Sequence, residues 1–275
     1  MNRAARVGEA QLRSLRHNLS QRDLDVLTSL RSYRLMNGRH IQRLHFAGHA
    51  SDDTGERVCR RVLRRLHELD LVRRLERRIG GVRAGSAGHI HAITPLGHRI
   101  LESETRHRWR EPSAGFVAHT LAIAEIATMA NQLALTHSRE VLAIEPEPDA
   151  WRTFHDGAVE ITLKPDLAMR VADTENERSW FVEVDLDTES RTVLQRKCQI
   201  YTHYWRSGIE QEEHGLYPQV LWVAPDDKRA EHIASVFGRQ GIEPRLFAAT
   251  TADRAPLVLA NLHEQEHVTT KGDSQ

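Results

Sequence analysis

The chain has 275 residues, 40% hydrophobic and 28% charged, with only two cysteines, enough for two ordinary domains that each bury a core. It has no apolar run of about 18 residues, which excludes a transmembrane helix, and Cys59 and Cys198, far apart in sequence and both within helical patterns, read as neither a disulfide framework nor a zinc site. The zero net charge hides an asymmetry: residues 1–112 hold 23 Lys+Arg against 12 Asp+Glu, and the remainder 15 against 26, so a +11 half precedes a −11 half.

A basic half points to a polyanionic partner, and an acidic half with clustered carboxylates tolerates metal. Residues 1–19 read as a polar arm, charged throughout and without the apolar stretch of a signal peptide, so a cytoplasmic protein is expected. Ser20 followed by Asp23 marks a helix start, with Leu24, Val26, Leu27, Leu30 and Leu35 as its apolar side. Asn37-Gly38 breaks the pattern before a short second helix, RHIQRLHF. A third helix carries Val58, Val62, Leu63, Leu66 and Leu69 on one stripe and Arg57, Arg60, Arg61, Arg64 and Arg65 over much of the rest. VRRLERRIGGVRAGSAGHIHAIT then reads as two strands around a Gly-rich turn.

Three helices followed by a hairpin is the order of a winged helix-turn-helix, here spanning residues 20–105. Its third helix would enter the major groove of double-stranded DNA, with the hairpin as wing. Arg73, Arg74, Arg77, Arg78 and wing-tip Arg83 join the helix arginines as groups suited to phosphates and guanine edges. An Arg-rich solvated helix, or a winged helix used for protein contacts, is the plainer alternative, and the charge split argues against it.

Residues 106–115 read as a linker to a second domain, 116–262, before a disordered tail, 263–275. The domain opens with an apolar helix interrupted by His119 and Glu125. Strands are expected near 159–163, 167–171 and 180–185, a helix over 190–206, a buried strand at VLWVAP, a helix at DDKRAEHIASVFGR and a last strand at 244–249. That order is an α/β sandwich. Phe181, Glu183 and Asp185 alternate onto one strand face, and Asp166 follows Pro165 at the start of the preceding strand. Carboxylates in a mostly apolar sheet need partners, and Mg²⁺ or Mn²⁺ is one.

Pro165-Asp166, a gap of 16 residues and Glu183-Val184-Asp185 resemble the pattern of the PD-(D/E)xK nuclease superfamily, with Glu125 on the upstream helix and Lys197 on the next one. That resemblance implies a restriction-endonuclease-like fold, metal ligation by Asp166, Glu183, Asp185 and Glu125, and Lys197 beside the carboxylates as a catalytic group. Asp185 stands where the superfamily has a lysine. To about residue 250 the chain is similar to the replication-relaxation family, on the segments ITPLGHRIL, AHTLAIAEI, PDLAM, FVEVDLDTES, QRKCQIYTHYW and VLWVAPDDKRAEHI. This resemblance implies a role in plasmid replication or mobilisation, with metal-dependent DNA nicking as one activity, and makes Asp185 a site residue in its own right. The alternative is a non-catalytic DNA-binding adaptor or transcriptional regulator. Its degenerate nuclease-like domain would then dimerise or recruit a relaxase or replication protein.

Three other patterns carry less. His263 and His267 match HExxH in a polar stretch with no third ligand in view, which chance explains. His89, His91 and His98 read as solvated strand residues or phosphate donors. Tyr201 falls on the apolar stripe of its helix and reads as core, whereas Tyr204 stays open as a nucleophile.

Overall fold

The computed structural model describes residues 7–49, 51–75, 89–101, 109–157 and 159–262. Arg77, Arg78, Arg83 and the tail at 263–275 lie outside them. The chain is a mixed α/β protein divided into two compact units, Met1–Thr128 and Met129–Gln275.

The first unit begins with α1 (Glu9–His17) and α2 (Gln21–Ser32). Ser20 and Asp23 form the expected reciprocal cap at the start of α2, the Asp23 carboxylate accepting from the Ser20 amide at 2.8 Å. Next come β1 (Met36–Asn37), α3 (Gly38–His45), capped by Asn37, and α4 (Asp52–Glu68). α4 buries Gly55, Cys59, Leu63 and Leu66, spaced four, four and three residues apart and so on one stripe. Val58 and Val62, expected in that stripe, are only partly buried at its flank, because Cys59 takes its centre.

The strands β2 (Val72–Leu75) and β3 (Ile90–Ile93) pair antiparallel, and β1 adds to the other side of β3. α5 (Pro95–Ile100) follows at once. The segment TPLG makes this sharp junction: Thr94 accepts from the Gly97 amide at 3.0 Å, Pro95 occupies the first turn, and Gly97 meets the preceding strand. A Cβ on Gly97 would lie 2.6 Å from Ile93 Cγ1. α6 (Ala114–Thr136) then carries the chain across the unit boundary.

The second unit holds β4 (Glu140–Pro146), a hairpin of β5 (Arg152–Asp156) and β6 (Val159–Leu163), β7 (Leu167–Ala172) and β8 (Glu177–Val184). The helices α7 (Arg191–Ser207) and α8 (Ile209–His214), β9 (Gln219–Ala224), α9 (Asp227–Phe237), β10 (Phe247–Thr251) and α10 (Ala255–Leu259) complete it. Five strands form one mixed sheet in the order β10-β9-β8-β7-β4, with β8 central, antiparallel to β7 and parallel to β9. The last strand starts at Phe247 rather than at Pro244, since the proline, lacking an N–H, opens a single 3₁₀ turn instead. Phe181 and Trp222 from the sheet share a core with Leu194, Cys198 and Tyr201 of α7 and Ile233 and Phe237 of α9, so both helices cover the sheet face that carries Glu183 and Asp185.

Two glycines test this packing. Gly97→Ala is expected to cost about 1–3 kcal/mol by overfilling the α5 junction. Gly38→Ala, with nothing within 4 Å of the added carbon, should stay within about 0.5 kcal/mol of wild type. Urea unfolding of the two variants checks both.

Candidate functional site

The three carboxylates that the sequence sets on β7 and β8 meet three different partners. Asp166 closes the turn into β7 by accepting from the Val184 amide at 2.7 Å. Glu183, 2% exposed on β8, accepts from Tyr201 Oη at 2.6 Å and from Lys197 Nζ at 2.8 Å. Lys197 and Tyr201 are four residues apart on α7 and so project from the same side of that helix. Ser190 caps α7, accepting from the Val193 amide, which sets where the helix begins and which side Lys197 occupies.

Asp185 lies just past the end of β8 and is 3% exposed. One of its oxygens accepts from the Asp187 amide and the other from Arg229 Nη2 at 2.6 Å. Arg229 sits in the first turn of α9, where its amide satisfies the Asp226 cap at 2.8 Å. The same Nη2 also donates to the Glu189 carbonyl at 2.6 Å, and the Glu189 carboxylate pairs with Lys197 at 2.6 Å. A continuous chain of polar contacts therefore runs Asp185–Arg229–Glu189–Lys197–Glu183–Tyr201, and Lys197 also lies 5.5 Å from the centre of the Trp222 ring.

Burial pushes the Glu183 carboxyl above its ordinary range; Lys197 opposes the shift and nearby Asp166 adds to it. Burial would lower the Lys197 ammonium, but Glu183 and Glu189 outweigh that and raise it. Tyr201 is pushed far up by burial and by Glu183, so its hydroxyl stays protonated and donates. This is a poor setting for a tyrosine nucleophile. Tyr204 is equally buried and donates to Glu210 at 2.6 Å.

A divalent ion does not fit this arrangement. Both oxygens of Glu183 and both of Asp185 already accept from protein donors, and among the described residues no three His, Cys, Asp or Glu side chains come together as a metal site. Two internal cations, Lys197 and Arg229, stand against the carboxylates where the sequence pattern placed Mg²⁺ or Mn²⁺. Glu125 belongs to the first unit, 2.8 Å from both His40 Nε2 and Arg43 Nη1. The His40 contact, with Arg43, holds its carboxyl down to about 2. Arg229 and Glu189 are not legible as site residues in the sequence, because no spacing links α9 to the end of β8.

The first unit's arginines sort by what they touch. Arg57, Arg60, Arg61, Arg64 and Arg65 are all exposed on α4, away from its buried stripe. Arg65 reaches the buried Asp23 carboxylate, joining α4 to the cap of α2. Arg73 lies 4.2 Å over the Trp109 ring, and Arg74 is exposed on β2. His91 is buried on β3, and burial lowers it to about 4, so it stays neutral rather than serving as a phosphate donor.

The features add up to a two-unit α/β protein with an arginine-faced helical unit and a sheet whose buried Glu183 and Asp185 are matched by its own cations. The chain belongs to the replication-relaxation family, which it matches over residues 27–220. No curated protein matches it. Among solved structures, restriction endonuclease FokI bound to DNA aligns at 12% identity with a TM-score of 0.24, covering 91% of this chain and 48% of that one. A second FokI structure aligns at 13% identity with a TM-score of 0.25, covering 92% and 48%. The chain thus spans about half the length of the structures it matches, and superpositions this loose define no shared site. Among the described residues, no helix is long and apolar enough to cross a membrane.

Two outcomes follow from the charge pairing. Lys197→Ala strands a buried carboxylate and is expected to cost about 3 kcal/mol in urea unfolding, whereas the double variant Glu183→Gln/Lys197→Met should recover most of that loss. For Glu125, a folded value below the ordinary 4.5 means its stabilising contribution is full above that pH and disappears as pH falls towards about 2. Urea midpoints of wild type and Glu125→Gln should therefore differ at pH 6 and converge in that acid window.

Proposed function

We infer that this protein is a duplex-DNA-binding member of its family, acting in plasmid replication or mobilisation. In this reading the first unit is a winged helix whose α4 enters the major groove. The second unit is a nuclease-like sheet whose carboxylate cluster serves as an internal lock. One observation carries the reading: α4 sets Arg57, Arg60, Arg61 and Arg64 on its exposed side, opposite Cys59, Leu63 and Leu66, and leads into an antiparallel hairpin. A helix with an apolar back and a cationic front, followed by a hairpin, suits docking on a polyanionic groove. The +11 balance of residues 1–112 supports the same partner.

Gel shift with salt titration tests the reading. Wild type should bind duplex fragments from its own replicon with log K falling linearly in log salt. The quadruple alanine variant of the four arginines should flatten that slope by roughly 0.9 for each phosphate it no longer neutralises. Duplex binding unchanged in that variant would sink the assignment to α4.

Nicking is a separate question, and the sequence motif favours it where the geometry does not. Supercoiled plasmid incubated with the protein and Mg²⁺ or Mn²⁺ is expected to stay supercoiled. Metal-dependent nicking that Asp166→Ala abolishes would overturn the view of the cluster as a lock.

A further inference from the structure

We propose that Arg61 and Arg64 are the pair through which α4 reads sequence, and that they recognise two neighbouring guanines in the major groove; this rests on the DNA-binding reading above. The surrounding arginines are engaged by the protein itself. Arg65 is held by buried Asp23 and Arg73 by the Trp109 ring. Arg57 turns back to the Asp53 carbonyl at 3.3 Å and the Thr54 hydroxyl at 3.4 Å. Arg60 lies 3.5 Å from Glu56, one turn earlier. Only Arg61 and Arg64, among the arginines of α4, meet no protein group within the described residues, and both are exposed.

An unpaired guanidinium keeps its whole fork of donors for a ligand, and that fork matches the O6 and N7 acceptors of guanine as a bidentate pair. Arg57 and Arg60, partly satisfied within their own helix, retain charge for a phosphate but less geometry for a base. Arg61 and Arg64 lie three residues apart and so point the same way, about 4.5 Å apart along the axis. That spacing is close to the base-pair rise of about 3.4 Å, which places the two forks over consecutive pairs.

The full-length protein, used to select from a randomised duplex library and then titrated at fixed salt, tests this. The selected duplexes should share two adjacent G·C pairs. Arg61→Ala should relax the preference at one of them and Arg64→Ala at its neighbour, each weakening the selected site on the order of tenfold to a hundredfold. Random-sequence duplex should be bound nearly as before, and 7-deazaguanine at the two positions should weaken wild type alike. The pairing is overturned if the consensus lacks adjacent guanines, or if each variant loses affinity equally for every duplex. If wild type retains no duplex at all, the DNA-binding reading itself falls, and this inference with it.

Discussion

The second unit depends on one constraint: Glu183 sits in the central strand of the sheet, almost without solvent, and its charge has to be met from inside. An isolated carboxylate there would be prohibitively costly. Lys197 and Tyr201 meet it from one side of α7, which also fixes how that helix lies across β8. Asp185, two residues further on, is met by Arg229 from α9. The two helices that cover this face are thus each tied to it by an ion pair at the end of an otherwise apolar interface. Ion pairs of this kind add little net stability over a well-packed apolar substitute, but breaking one partner away is expensive.

The first unit applies the same rule more sparingly. Asp23 completes a helix cap and also receives Arg65, so one buried carboxylate serves both local and tertiary structure. Glu125 receives His40 and Arg43 from α3. Each of these pairings commits a cation to the fold. The basic balance read from composition is therefore larger than the set of arginines available to a partner; of those on α4, Arg61 and Arg64 meet no protein group among the described residues.

Membership of the replication-relaxation family gives this division a setting. In it, a unit proposed to bind DNA is joined to a unit whose Glu183 and Asp185 are paired with Lys197 and Arg229. The PD and ExD signature is compatible with such a protein because the same carboxylates that suit a metal also suit ammonium and guanidinium partners. In both cases the requirement is a compact positive charge against a buried strand.

Much was legible in the chain itself. The cap at Ser20, the alternation that put Glu183 and Asp185 on one face, and β6, β7, β8, α7, β9 and α9 follow from rules acting over a few residues, whereas the short α8 was not legible in the sequence. The arginine side of α4 was legible for the same reason, since helical periodicity is local. What the sequence could not settle was the partner of each charge. Glu183 and Asp185 read equally well as metal ligands or as halves of ion pairs: the family pattern set Lys197 beside them, but Tyr201 and Arg229 lie 18 and 44 residues away from the carboxylates they meet. Likewise Arg65 and Arg64 are indistinguishable neighbours in sequence, and only the position of α2 gives one of them to Asp23. Local pattern determined which side of each element a residue occupies; tertiary packing decided what stands opposite, because burial makes a charge depend on whatever the fold brings within hydrogen-bond reach.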